Sequence, residues 1–337
     1  MNQTPEIQRH LSRHRKIVIT THHKPDGDAM GSSLGLFHYL THKGHEVVLI
    51  TPTDYGHFLH WMPGNENVLV FTEQPEKAYE CLNNADTIFG LDFSSLNRCN
   101  EIGEWIQKNR DGRCVIMMDH HLNPDSYDDF RIWDSTASST CELVYRFIEG
   151  CGDILGISQE IAICLYVGIL TDTGSFKFSN TSAQVHRIVA HLLDRGAVSD
   201  MIHNNLFDNF TEDRMRFLGY CLYEKLKVLP EYHTAYMCIT EEELKKFNSK
   251  TGDTESLVNY SLSILGVNFG VLIVDRGVLR KMSFRSIGSF PANQFAAHFQ
   301  GGGHHNAAGG MSEDSLENTE KKFLNLLEQF KSQLNYV

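Results

Sequence analysis

Residues 17–21 read IVITT, and runs of similar density recur as EVVLIT at 46–51, TIFGL at 87–91 and CVIMM at 114–118. Each is short, β-branched or aliphatic, and bounded by polar or turn-forming residues, which predicts four strands. After the first, Met30, Leu34, Phe37 and Leu40 fall at helical spacing, predicting a helix over 29–42 with Gly44 as its stop. Residues 138–149, 158–170 and 182–194 predict three more helices. Strands alternating with helices imply a parallel sheet covered on both faces.

From 195 to 216 the chain turns polar (RGAVSDMIHNNLFDNFTEDRMR), the composition of a helical linker or hinge. The pattern then changes. Strands are expected over 233–239, 269–274 and 279–285, with helices over 241–247, 256–265, 292–299 and 315–334. The fold class is therefore α/β: a parallel-sheet domain over 1–194, a linker over 195–216 and a smaller α+β domain over 217–337.

Composition narrows the function. At 41% hydrophobic and 21% charged residues, the chain is of the globular class. A net charge of −12 argues against a broad basic face for duplex nucleic acid. None of the eight cysteines falls in a CxxC pair, so they are expected as reduced thiols in a cytoplasmic protein. No signal peptide is visible, and the longest apolar run, 161–170, is too short to cross a bilayer.

The chemistry collects where the strands end. The first runs into His22, Asp26 and Asp28, the third into Asp92, and the fourth into Asp119, His120 and His121. In an open parallel sheet these ends share one edge, where ligands bind. Asp172, closing a later helix, is a further candidate. Five carboxylates so close repel one another unless cations intervene. Imidazoles and carboxylates without thiolate suit Mn²⁺, Mg²⁺, Fe²⁺ or Co²⁺. The ligand number fits two ions sharing a carboxylate, an arrangement used in phosphoryl transfer. The two-residue gap between Asp26 and Asp28 can then place one carboxylate on each ion, with Gly27 letting the loop bend between them. Read singly, Asp28 is an ordinary helix N-cap candidate and Asp172 an ordinary helix end. Gly27, Gly31 and Gly35, four apart, read as close helix packing.

His22-x-x-x-Asp26-x-Asp28, the isolated Asp92, the Asp119-His120-His121 triplet and Asp172 resemble the four motifs of the DHH phosphoesterase superfamily. GGGHHNAAGG at 301–310 resembles the signature of the DHH-associated C-terminal domain. Order and length are most similar to the NrnA-type subfamily, bifunctional nanoRNases that also dephosphorylate 3′-phosphoadenosine 5′-phosphate (pAp). The resemblance implies that His22, Asp26 and Asp92 hold one metal ion, and that Asp28, Asp92, His120 and Asp172 hold the other. The usual metal is Mn²⁺. Asp119 would orient a histidine, and His121 would face the scissile phosphate. Arg285, Gly302, Gly303 and His304 would hold substrate phosphate or nucleotide, with short single-stranded RNA and pAp as substrates in the cleft between domains. His23 and His305, each beside a candidate, are left unassigned, and homodimerisation is left open. Competing readings are a phosphodiesterase for cyclic di-AMP or linear dinucleotides, a pyrophosphatase or polyphosphatase, and a nucleotide-binding regulator without catalysis.

Overall fold

The computed structural model describes residues 2–250 and 252–334, which form two compact units, 1–209 and 210–337. The boundary lies inside the segment expected as a linker, which is helical on both sides. Unit 1 runs α1 (Thr4–His10), β1 (Lys16–Thr21), α2 (Gly27–His42), β2 (Glu46–Thr51), β3 (Val68–Val70), α3 (Pro75–Asn84), β4 (Thr87–Leu91), α4 (Asn100–Lys108), β5 (Cys114–Asp119), β6 (Phe130–Trp133), α5 (Thr140–Gly150), α6 (Gln159–Asp172), α7 (Ala183–Asp194) and α8 (Ser199–Phe207). The four expected strands are present. The sheet has six, because β3 and β6 are short edge strands with half-buried residues and little apolar signal.

All pairings in this sheet are parallel, in the order β3-β2-β1-β4-β5-β6. The strand order reverses between β1 and β4, and such a switch point opens a crevice beyond the strand ends. Each face has its own core. Ile17, Ile19, Phe89, Leu91, Ile116 and Met118 face α2, α5 and α6, while Val18, Ile88, Val115 and Met117 face the side of α3 and α4. Alternation along each strand sends successive side chains to opposite faces.

Helices α2 and α6 pack closely because glycine lines their contact. A Cβ built on Gly31 would lie 2.5 Å from the Cys164 carbonyl oxygen and 2.9 Å from Cys141 Sγ. One on Gly27 would meet Thr171 at 2.5 Å, and one on Gly35 would meet Leu165 at 2.7 Å. The expected role of Gly27 is corrected accordingly. It is the first helical residue, its φ is not positive, and its hydrogen makes room for Thr171. Gly44 has φ +85° directly after α2, the left-handed stop expected from sequence.

Unit 2 runs α9 (Glu212–Tyr220), β7 (Lys227–Leu229), β8 (Thr234–Ile239), α10 (Glu241–Lys246), β9 (Phe269–Asp275), β10 (Arg280–Ser286), α11 (Ala292–Ala297), β11 (Gly302–Gly303), β12 (Ala307–Ser312) and α12 (Leu316–Leu334). Its sheet is mixed, in the order β11-β12-β10-β9-β8-β7, with β8 and β9 parallel. Its core is aromatic, with Phe269, Phe284, Phe295, Phe299 and Phe323 fully buried. The helix expected over 256–265 is instead a 3-10 turn, Leu257–Ser263, entered through Ser256 at φ +61°, a conformation no helix continues. All eight cysteines are free thiols, five of them buried. Among the described residues no helix is long and apolar enough to cross a membrane.

Candidate metal centre

The seven histidines and aspartates expected at the strand ends of unit 1, with Asp172 from a helix end, come together at the switch point. β1 and β4 are neighbours, with Thr21 level with Leu91, so the residues that follow them, His22 and Asp92, emerge side by side. His22 Nε2 lies 3.5 Å from Asp92 Oδ2 and 4.0 Å from Asp26 Oδ2. On the other side, His120 Nε2 lies 3.6 Å from Asp92 Oδ1, 3.8 Å from Asp28 Oδ2 and 3.2 Å from Asp172 Oδ2. Among the sets of mutually close ligand atoms are His22 with Asp26 and Asp92, Asp28 with Asp92 and His120, and, through the orienting contact, Asp92 with Asp119 and His121; the first two are the expected ligand sets. Asp92 belongs to both and turns a different oxygen to the histidine of each.

Local structure fixes these groups. Asp26, rather than Asp28, caps α2. Its Oδ1 accepts from the backbone N–H groups of Asp28 and Ala29, both at 3.1 Å, which leaves Oδ2 directed at His22. Asp28, two residues on, is fully buried. Its carboxylate accepts from the N–H groups of Thr140 at 2.6 Å and Cys141 at 2.9 Å, at the N-terminus of α5. That is where helix backbone favours an anion. Asp92 is held at φ +63°, an uncommon conformation for a non-glycine residue. Its N–H bonds the Met118 carbonyl at 3.0 Å, and Oδ1 accepts from Thr140 Oγ1 at 2.9 Å. Asp172 is the last residue of α6, and Asn180 Nδ2 ties its carbonyl to that of Ser138.

The imidazoles are oriented the same way. His22 Nδ1 donates to the His23 carbonyl at 2.9 Å and His120 Nδ1 to that of Ala137 at 3.3 Å. In both, Nε2 is thereby turned to the carboxylates as a lone-pair donor, the arrangement a metal-binding histidine needs. His22 Nε2 is buried without a hydrogen-bond partner, an orphan that a cation would satisfy. His121 Nδ1 bonds Asp119 Oδ1 at 2.7 Å, so Asp119 orients a histidine as expected. His23 turns away from the carboxylates, and its Nδ1 bonds the Arg98 carbonyl at 3.0 Å.

Proton equilibria reflect the crowding. Burial, then repulsion from Asp92 and Asp172, pushes the Asp28 carboxyl well above the usual range. Burial also raises Asp172, although His120 opposes it. Burial alone would raise Asp92, but the close approach of His22 and the charges of His121, His120 and His22 outweigh it and hold Asp92 low. For His22 and His120, burial would lower the pKa; their carboxylate neighbours outweigh it and raise both. Without cations, His22, His120, Asp28 and Asp172 therefore hold protons more tightly than usual. Carboxylates and imidazoles without thiolate make a donor set that fits divalent cations.

Three contributors escaped sequence reading: Thr140, Asn180 and Arg98, whose Nη1 lies 3.0 Å from His121 Nε2. They act through loops and helix ends that only the folded chain brings to the cluster.

The expected substrate residues lie in unit 2. Arg285 pairs with Ala307 near the end of β10, and its Nη1 bonds the Phe284 carbonyl at 3.0 Å. The glycine-rich stretch is a tight β-hairpin. Gly302 and Gly303 pair with Gly309 and Ala308, and His304 with Ala307 closes the turn. A Cβ on Gly303, at φ +143°, would lie 2.6 Å from the Ala307 carbonyl, so the hairpin closes only with glycine there. His305 Nε2 bonds the Ser289 carbonyl at 3.1 Å.

This fold and ligand arrangement define a DHH-type phosphoesterase, and the chain belongs to that family. Residues 16–169 match the DHH family N-terminal domain and residues 231–333 the DHHA1 domain. Among its relatives are bifunctional oligoribonuclease and PAP phosphatase NrnA proteins. That of Thermus thermophilus is 30% identical over 87% of this chain and 83% of its own length. That of Bacillus subtilis is 27% identical over 90% of this chain and 91% of its own. An exopolyphosphatase-related protein of Bacteroides fragilis shares the structure at a TM-score of 0.93 and 38% identity, covering 98% of this chain and 97% of that one.

Proposed function

We propose that the protein is a dinuclear, divalent-metal-dependent phosphoesterase that hydrolyses short single-stranded oligoribonucleotides and pAp. The observation that carries this reading is Asp92, which faces His22 with one oxygen and His120 with the other. A carboxylate so placed could be shared by two ions. His22, Asp26 and Asp92 would hold one ion, and Asp28, Asp92, His120 and Asp172 the other, with Mn²⁺ the preferred metal. The ions would activate water and draw charge from the phosphoryl oxygens. The chain's own residues do the rest. The N-terminus of α5 and Thr140 keep Asp28 and Asp92 in place. Asp119 accepts the His121 Nδ1 proton and fixes the ring, whose Nε2 accepts from Arg98, and this His121–Arg98 pair would face the scissile phosphate. Arg285 and His304, with the glycine hairpin that places His304, are assigned to the substrate's phosphate or nucleotide. His305, engaged with Ser289, is left out of that role.

The substrate class is supported by the NrnA relatives, which are alike over most of both chains. The test is direct: offer the Mn²⁺-loaded protein pAp, a short RNA, cyclic di-AMP, pyrophosphate and polyphosphate side by side. Hydrolysis of pAp and the short RNA, well ahead of the others, is expected. Failure on both would overturn the reading, and preference for polyphosphate would move the protein to the inorganic-phosphate branch.

A further inference from the structure

We propose that Arg98 is a substrate-binding residue that grips a non-bridging oxygen of the scissile phosphate, and that His23 positions it. The inference rests on the phosphoesterase reading. Arg98 lies on the 3-10 turn Leu96–Cys99, which continues the loop carrying Asp92 beyond β4. Its Nη1 is 3.0 Å from His121 Nε2. Because His121 gives its Nδ1 proton to Asp119, Nε2 is the acceptor and the guanidinium the donor. His121 Nδ1 is in turn 3.6 Å from Asp92 Oδ1. One imidazole ring therefore separates the guanidinium from the carboxylate shared by both ligand sets.

Charge makes this placement informative. Among the described residues Arg98 forms no ion pair with a carboxylate, whereas Arg110, Arg131, Arg146, Arg216 and Arg280 each do. A guanidinium has five N–H donors in a planar fork, and its preferred partner is a carboxylate or phosphate. Spending one donor on an imidazole leaves the fork able to take an anion. The backbone that presents it is fixed. The Arg98 carbonyl accepts from the His23 N–H at 2.7 Å and from His23 Nδ1 at 3.0 Å, and the Arg98 N–H bonds Ser95 at 3.0 Å. The second histidine of the His22-His23 pair thus holds the arginine while the first serves the metal set. In phosphoryl transfer, charge spread over the non-bridging oxygens is met by such pre-placed donors.

The experiment uses the full chain loaded with Mn²⁺ and inorganic phosphate as the probe. Calorimetric phosphate binding is compared for wild type, Arg98→Gln and Arg98→Lys, alongside Mn²⁺ affinity and pAp kinetics. Expected are an at least about tenfold weaker phosphate affinity in Arg98→Gln, partial recovery in Arg98→Lys, and Mn²⁺ affinity within about twofold of wild type. The pAp kcat/KM of Arg98→Gln should fall by about 10²–10³. Wild-type phosphate affinity in Arg98→Gln would overturn the proposal. So would parallel loss of Mn²⁺ and phosphate in both variants, which would mark Arg98 as structural. A wild-type protein inactive on pAp and short RNA, yet losing phosphate in Arg98→Gln, would sink the substrate assignment and leave the anion site standing.

Discussion

Replacing Gly31 by alanine tests how tightly the helix contact controls the metal centre. The added methyl would sit 2.5 Å from the Cys164 carbonyl oxygen, 2.9 Å from Cys141 Sγ and 3.0 Å from the Gly168 N–H nitrogen. Ordinary contact begins near 3.4 Å, so α2 and α6 must part by roughly 0.9 Å at this point. Overpacking of this kind costs about 1–3 kcal/mol, and alanine in a helix returns about 0.5–1 kcal/mol. The net is a loss of up to about 2.5 kcal/mol, or up to about 10 °C in Tm for a unit of this size. The sharper effect falls on the ligands. Asp28 is on α2 and Asp172 on α6, while metal–ligand distances tolerate only about 0.2 Å. Mn²⁺ affinity should therefore fall about 10–100-fold, measured by titration calorimetry with Tm from scanning calorimetry. Gly156→Ala, which meets no atom within 4 Å, is the control and should leave both unchanged. A Gly31→Ala protein with wild-type Mn²⁺ affinity and Tm would refute the claim that close α2–α6 packing sets the ligand geometry.

Metal binding should strengthen with pH. His22 and His120 are raised and Asp28 is raised, so the metal-free cluster carries protons that Mn²⁺ must displace. The sign follows: the stability these histidines lend the metal-free fold is present below their ordinary value and lost as pH rises through their raised ones. The Tm gained on adding Mn²⁺ should thus widen as pH rises above about 6.5, the ordinary histidine value; a constant or shrinking gain would contradict the assignment. Thr140→Val removes the hydroxyl bond to Asp92 Oδ1, a bond to a charged group worth about 1.5–3 kcal/mol. It should weaken Mn²⁺ binding by about tenfold or more with little change in substrate KM, as titration calorimetry and steady-state kinetics would report. Arg285→Ala should raise KM for pAp and short RNA while leaving a minimal phosphodiester substrate nearly untouched; a fall in turnover of the minimal substrate alone would remove Arg285 from substrate binding.

Much of the fold and of the ligand cluster is legible in the sequence. The buried strands β1, β2, β4 and β5 are legible because both faces are covered, which leaves near-continuous apolar runs. β3 and β6 were missed for the converse reason: they are short, and their residues are only half covered. The aspartates and histidines were legible because strand ends in a parallel sheet must converge. What could not be read was how they are held. Thr140 reaches Asp92 only because α5 starts beside it, and Arg98 reaches His121 through a turn that no periodicity marks. Gly27 was assigned to loop bending, whereas its role comes from Thr171 on a helix more than a hundred residues away. His23 found its place only through the backbone of Arg98.

The central claim is a pair of ions joined by Asp92. The most direct measurement is the electron paramagnetic resonance spectrum of the Mn²⁺-saturated protein, with metal content determined on the same sample. Two ions per chain with a spin-coupled spectrum are predicted, reverting to uncoupled signals in Asp92→Asn with activity lost. A single uncoupled ion per chain, or an Asp92→Asn protein that still hydrolyses pAp at the wild-type rate, would contradict it.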